Sequence, residues 1–456
     1  MKKKYVRWTL WTIASPFILF IILCILIYLP PIQNFLVDKA AVYASEATGM
    51  NISVGRISLS FPLNLVVTDV DAASPHNDTL LSVRRLQVNV QLLPLLKKQV
   101  EVDGISLQGA TVNSNDLIHG MKLNGTLGEL FISSHGVALD PETAIVNKVL
   151  LKDTDLSLCL NDTAAADTAA SDTTYWKIIL QDIDLQNVSF ALDMPLDSLS
   201  LAASLDNAIL RDGLIDLHKS AYSLQTFRIE NGRVRYDNGK PLAADSLSSG
   251  LDPSHIALTD IGVKLDSLYY GGRNMKAIIS QFVLKERSGV EIVSATGRMV
   301  SNDKVLRVPS LKLETRDSYL ELNAAMDWNA LDFKDEGLVS ARLMADIGKP
   351  DVVRFMGSMD EKFIRQYPSE PLRIRTGIDG DLNKLKLTTL TAELPGALGL
   401  FARGELTHLT DSLLRGGDIT LEAETKDLKF VSTLAEGIEI PYGTRLEGKF
   451  TMAGRS

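Results

Sequence analysis

A strand-like unit recurs along this chain and restricts what the chain can fold into. Ile105-Ser-Leu-Gln-Gly-Ala-Thr-Val112 has apolar residues at Ile105 and Leu107, a small one at Ala110 and an apolar one at Val112. The grammar returns at Val149, Leu151 and Leu156, at Ile183, Leu185, Val188 and Phe190, and at Phe227, Ile229 and Val234. Successive starts lie 44, 34 and 44 residues apart. Period-two alternation marks a strand with one apolar and one wet face. The phase changes between 107 and 110. One extra residue there, a β-bulge, would return both halves of the unit to the same face.

Units of one kind can stack on one another, so they predict a single elongated array instead of several unrelated domains. A net charge of −9 excludes nucleic acid as a partner, because no basic surface of useful size is available. Cys24 and Cys159 are too few and too far apart in the chain to build a disulfide framework.

Met1-Lys-Lys-Lys-Tyr-Val-Arg7 is basic, and Leu10 to Leu29 carries no charge. An uncharged helix of that length crosses a bilayer core, and the positive flank stays on the cytoplasmic side. A cleaved signal peptide has a shorter apolar core, about 7–15 residues, and an A-x-A site, which this stretch lacks. The expected organisation is a cytoplasmic tail at 1–7, a transmembrane signal-anchor at 8–30, an amphipathic helix at 31–49 and a β-domain at 50–456. That predicts a single-pass chain with its N-terminus in the cytoplasm and everything after Pro30 exported. Asn161 to Thr174 is polar and low in complexity, which predicts a disordered loop between two strands. Val352, Met356, Met359, Phe363 and Tyr367 fall on one helical face, between Pro350 and Pro368. They predict an amphipathic helix over about 350–367 that covers a sheet face.

The search for chemistry finds no motif. None of the six histidines pairs at metal-ligand spacing, and H-E-x-x-H, G-x-S-x-G and P-loop signatures are missing. The expectation is a protein without catalytic residues, metal or cofactor. Asp followed by Ser or Thr and then an apolar residue or Thr occurs eight times, at Asp78, Asp162, Asp167, Asp172, Asp197, Asp245, Asp266 and Asp411. The triplet resembles an O-glycosylation acceptor on exported proteins of one group of Gram-negative bacteria, and Thr79, Thr163, Thr168 and Thr173 are the candidates. The same triplet is also good turn chemistry ahead of a strand.

The order of elements resembles the AsmA-like family, which includes TamB. An N-terminal span leads to Thr48-Gly-Met-Asn-Ile-Ser-Val-Gly-Arg-Ile57, then to Leu63-Asn-Leu-Val-Val-Thr-Asp-Val70 and the strands of Leu80–Leu92. A leucine-rich step, Leu92-Leu-Pro-Leu-Leu-Lys-Lys98, then runs into the Ile105–Val112 unit. The resemblance is clearest over roughly residues 1–240, and no stretch matches the C-terminal domain with which TamB-type members engage an outer-membrane barrel. It implies a mainly β protein with an elongated, curved, taco-like sheet forming a hydrophobic groove, anchored by its N-terminal helix in the inner membrane. It also implies phospholipids as partners moving between inner and outer membrane, with an outer-membrane protein as a further candidate partner. The apolar positions of the four units would then be the groove. The alternative is an envelope scaffold for outer-membrane proteins that recruits clients by strand addition at a sheet edge.

Overall fold

In the computed structural model the described residues lie between 39 and 452. The internal stretches 61–63, 75–77, 92–101, 115–119, 139–141, 162–174, 240–249, 335–336, 357–360 and 434–441 are outside them, as are positions 40, 44 and 47. The expected span at 10–29 and most of the 161–174 loop fall outside the described residues. Among the described residues no helix is long and apolar enough to cross a membrane, and the described positions of 39–48 are helical.

The protein is mainly β, with twenty-one strands and few helices among the described residues. Two compact units divide the chain, one built from residues up to 173 with 178–196, the other from 174–177 with 197–456. The first holds β1 (Asn51–Ser60), β2 (Asn64–Ala73), β3 (Thr79–Val90), β4 (Val102–Asn113), β5 (Met121–Ala138), β6 (Thr143–Leu160) and β7 (Lys177–Met194). From β1 to β6 each strand pairs antiparallel with the next. β7 breaks the meander. Asn147 Nδ2 donates to Gln181 Oε1 and Asn187 Nδ2 to Asp153 Oδ1, both at 2.9 Å and both 34 residues apart. A constant offset of one sign is the signature of a parallel neighbour. A parallel return needs a crossover of a dozen or more residues, and the chain between 160 and 177 is long enough to supply it.

The second unit holds β8 (Leu199–Asp216), β9 (Ala221–Leu224), β10 (Thr226–Asp237), β11 (His255–Gly271), β12 (Asn274–Glu286), β13 (Glu291–Ser301) and β14 (Val305–Thr315). It continues with β15 (Tyr319–Asp327), β16 (Leu338–Ile347), β17 (Leu372–Asp381), β18 (Lys384–Leu394), β19 (Leu398–Thr407), β20 (Gly416–Thr425) and β21 (Arg445–Met452). β8 pairs with β10, β9 bridges β8 and β11, and β10 to β21 run on as an antiparallel meander.

The predicted bulges are present. Gly109, Asp153, Asn187 and Asn231 occupy the same place in the four units, and all have positive φ, between 49° and 61°. Gly, Asn and Asp are the residues that enter this region at least cost. In the first unit the irregular positions line up from strand to strand. Gly55, Asp69, Arg84, Gly109, Gly128 and Asp153 are the residues skipped by the pairing registers. A Cβ at Gly128 would come within 2.8 Å of the Asp153 Cβ, so the glycine makes room for its neighbour's bulge. The result is a crease that crosses every strand from β1 to β6 and meets Asn187 of β7.

Three short helices complete the second unit, α1 (Trp328–Leu331), α2 (Lys349–Phe355) and α3 (Glu361–Gln366). Where one helix is expected over 350–367, the described residues hold two short helical segments, with 357–360 between them outside the described residues. They do not lie across a sheet face. Phe363 and Tyr367 pack with Leu394, Ala397 and Phe430 at the ends of β17–β19, in a buried cluster, with Val352 and Leu372 against it. Asp351, 1% exposed, ties α2 to the β14–β15 turn by accepting from the Thr315 and Ser318 hydroxyls and from Arg354.

Candidate functional site: the apolar face of the sheet

Cross-strand partners in a ladder share a face, so the registers show which residues lie side by side. In the first unit four rows result, apolar except for Thr154. Ile57, Val67, Leu86, Leu107, Leu130 and Leu151 form one, and Leu59, Leu65, Val88, Ile105, Ile132 and Val149 the next. Beyond the crease run Val54, Val70, Val83, Ala110, Leu127 and Thr154, then Ile52, Ala72, Leu81, Val112, Gly125 and Leu156. The 34-residue offset of β7 sets Leu185 beside Leu151, Ile183 beside Val149, Val188 beside Thr154 and Phe190 beside Leu156. The opposite face is more polar, with the row Arg56, Thr68, Arg85, Gln108, Glu129 and Lys152, although Val66, Phe131 and Leu150 also lie on it. The bulge is what allows this. Without the extra residue, everything beyond Leu107 would change faces.

The second unit repeats the arrangement over more strands. Ala208, Ile229, Val263, Phe282, Ala295, Leu313, Leu320, Ala345, Ile374, Ala392, Leu400, Ala423 and Leu446 form one row across thirteen strands without a polar side chain. At a strand spacing of about 4.8 Å such a row is roughly 58 Å long. A parallel row runs Phe227, Leu265, Ile279, Gly297, Leu311, Leu322 and Leu343, and after Thr376 it resumes at Leu390, Ala402 and Leu421. Val234 pairs with Ala203 and Leu258. The reverse face carries Asp379, Lys386, Glu405, Asp418 and Thr451 in one row. Ion pairs lie along that face, among them Arg375–Asp346 at 2.8 Å, Lys384–Glu405 at 3.2 Å and Lys449–Asp418 at 3.6 Å. Asp418 is held below the usual carboxylate range, first by the Thr451 hydroxyl and then by Lys449.

What covers the apolar face decides its role. None of the thirteen candidate positions is buried. Ile105 and Phe190 are 36% and 38% exposed, and Leu107, Val112, Val149, Leu151, Leu156, Ile183, Leu185, Val188, Phe227, Ile229 and Val234 are intermediate. In the thirteen-strand row only Ala208, Ala295 and Ala345 are shut from water, each shielded by the larger side chains around it. A closed sandwich would bury such residues in a second layer packed about 10 Å away. Among the described residues the wide aliphatic rows of both units keep much of their surface.

Of the candidate acceptors, Thr79 is exposed at the start of β3, opposite Ala73. Thr163, Thr168 and Thr173 lie outside the described residues. Half of each row is missing from the sequence reading, since the partners of the four units, such as Leu130 and Ile132 on β5, carry no repeat signal. Their alternation is ordinary, and only the register reveals them. No group of three or more His, Cys, Asp or Glu side chains able to hold a metal occurs among the described residues. No family model matches this chain, and no curated protein matches it.

Proposed function

We propose that this chain is an AsmA-like, inner-membrane-anchored periplasmic protein that carries phospholipid between the two membranes along the apolar face of its sheet. The observation that carries this reading is the thirteen-strand row, whose large side chains are left partly exposed and none of them buried. An acyl chain laid on that face gains about 0.8 kcal/mol for each methylene removed from water. The thirteen-strand row offers no hydrogen-bonding side chain to grip a headgroup, so one stretch of it is much like the next and a chain slides without deep traps. The N-terminal basic and apolar segments supply the anchor in this reading, and the opposite face stays wet. The chain contains no recognisable energy-coupling motif, so direction of flow comes from partners or lipid gradients.

The test is a photo-reactive residue placed at Leu322 or Leu151 in the full chain in cells, with Asn323 and Lys152 on the reverse face as controls. Phospholipid adducts at the first two positions and not at the controls are the expected result, read by mass spectrometry. Adducts to protein segments at Leu322, without lipid, would overturn the conduit and favour the scaffold.

A further inference from the structure

The second unit has two rims, where its strands turn. One carries the aromatic cluster under α2 and α3. The other carries the β11–β12 turn, the loop between β15 and β16 and the loop between β19 and β20. The pairs Gly271–Asn274, Val305–Asp327, Leu338–Asp381 and Thr407–Gly416 put these three on the same side of the ladder. We propose that this second rim is a docking edge for a phospholipid bilayer, with three apolar tips seated in its interfacial layer.

The tips are Tyr222 with Tyr270, Leu331 with Phe333, and Leu413 with Leu414. Their exposures are 40% and 46%, 41% and 78%, and 64% and 53%. The two tyrosine rings lie 6.2 Å apart, on paired residues of β9 and β11. Five strand steps separate the Tyr222–Tyr270 pair from the loop between β15 and β16, and four more lead to the loop between β19 and β20. The intervals are therefore about 24 and 19 Å along the rim. The other rim buries Phe363, Tyr367 and Phe430 and leaves Phe355 and Tyr442 exposed on single segments next to that cluster.

Phe333 gives an independent indication. Phe333 N–H donates to Ala330 O at 3.0 Å and Lys334 N–H to Asn329 O at 2.7 Å, the paired bonds that close a helix C-terminus. The residue at this place has left-handed backbone, and glycine is the usual choice. Here it is a phenylalanine with φ 56°, aimed outward. A bulky side chain in that backbone region is a strained arrangement, and at 78% exposure it has no packing in return. Behind it Arg273 stacks on the Trp328 ring at 5.3 Å and pairs with Asp332 at 3.1 Å, fixing the loop.

The spacing selects the occupant. A protein partner needs a contiguous patch with a dry centre. The first two tips are separated by the turn that holds Asp303 and Lys304, and Lys334, Asp411 and Arg415 flank the apolar residues within the tip loops. A bilayer interface is soft. It accepts Tyr, Phe and Leu side chains at separate points and leaves the intervening charges among headgroups. This docking does not depend on the apolar face carrying lipid.

The experiment places a polarity-sensitive fluorophore on F333C or L413C, with F355C and Y442C on the other rim as controls, in full chain lacking Cys24 and Cys159. Each is reconstituted into vesicles of phosphatidylethanolamine and phosphatidylglycerol containing brominated acyl chains. Quenching at positions 333 and 413 should exceed that at 355 and 442 several-fold. Equal quenching on both rims, or stronger quenching on the control rim, would overturn the proposal. A blue shift at 333 that follows protein density without bromolipid quenching would assign the rim to a second copy and overturn it equally.

Discussion

The two rims of the second unit are made from similar residues, but only one gathers some of them into a buried cluster, while Phe355 and Tyr442 on that same rim stay 57% and 77% exposed. At one, Phe363, Tyr367 and Phe430 meet edge-to-face and tilted, with ring centroids 5.1–5.8 Å apart, and α3 closes over them. At the other, Tyr270, Phe333 and Leu413 stand in solvent. Position in the sheet does not explain this, because both sets sit at strand ends. The difference lies in what the connecting segment provides. Residues 347–372 are long enough to fold two helices back onto the ends of β17–β19, whereas the connections 328–337 and 408–415 are much shorter. The first rim is a stability device. The second spends stability.

The largest effect should come from removing the centre of the sealed rim. Phe363→Ala should cost about 3–5 kcal/mol in chemical denaturation, the usual range for a buried phenylalanine. Phe333→Ala should stay within about 0.5 kcal/mol of the parent, because no packing is lost. Equal losses at the two positions would break the comparison. Next in size is Asp351→Ala, which leaves Arg354 and two hydroxyls without their shared acceptor and should cost roughly 2–3 kcal/mol. Arg354, held above its usual range by Asp317 and Asp351 against the cost of burial, stays charged in that variant and keeps Asp317 at 2.7 Å.

Phe333→Gly should raise stability by about 1 kcal/mol, since glycine takes the left-handed backbone without a Cβ penalty. The same variant should lower bilayer quenching reported from position 413. A gain in stability without that loss would leave the strained phenylalanine unexplained. The smallest effect concerns acid. Asp252 is held below 3.8 by the Ser254 N–H first, and then by His255. Its folded-state value is depressed, so its contribution is present above the unfolded value and is lost as pH falls through the lower folded one. Asp252→Asn should therefore flatten the stability profile slightly below pH 3.8 and leave neutral pH nearly unchanged.

How much of this is legible in the sequence follows from the range of each signal. The bulge at Gly109 is local. A change of alternation phase within eight residues, together with a residue that tolerates positive φ, reveals it, and Asp153, Asn187 and Asn231 obey the same rule. The one-face-apolar strand is local too. Register is not. That Leu107 lies beside Leu130 and Leu86 depends on turn lengths and on pairing energies summed over whole strands. Strand sense is equally non-local, and the parallel placement of β7 shows in the sequence only as a length of chain sufficient for a return. The helix expected at 350–367 has the right apolar face, but Val352, Phe363 and Tyr367 serve strand ends and not a sheet surface. The open rim is the least legible feature, since Tyr270, Phe333 and Leu413 are separated by dozens of residues and share no motif.

The crease has a further consequence, for how such a chain grows. Every strand from β1 to β6 presents the same notch at its midpoint, so each interface is indexed like the teeth of a gear. A slip by one residue would bring a notch against an unbroken ladder and turn all later side chains to the wrong face. A slip is thereby penalised at every interface. Inserting or deleting a complete hairpin leaves every notch matched. Length in such a molecule can change by whole hairpins through duplication, while shifts by single residues are excluded.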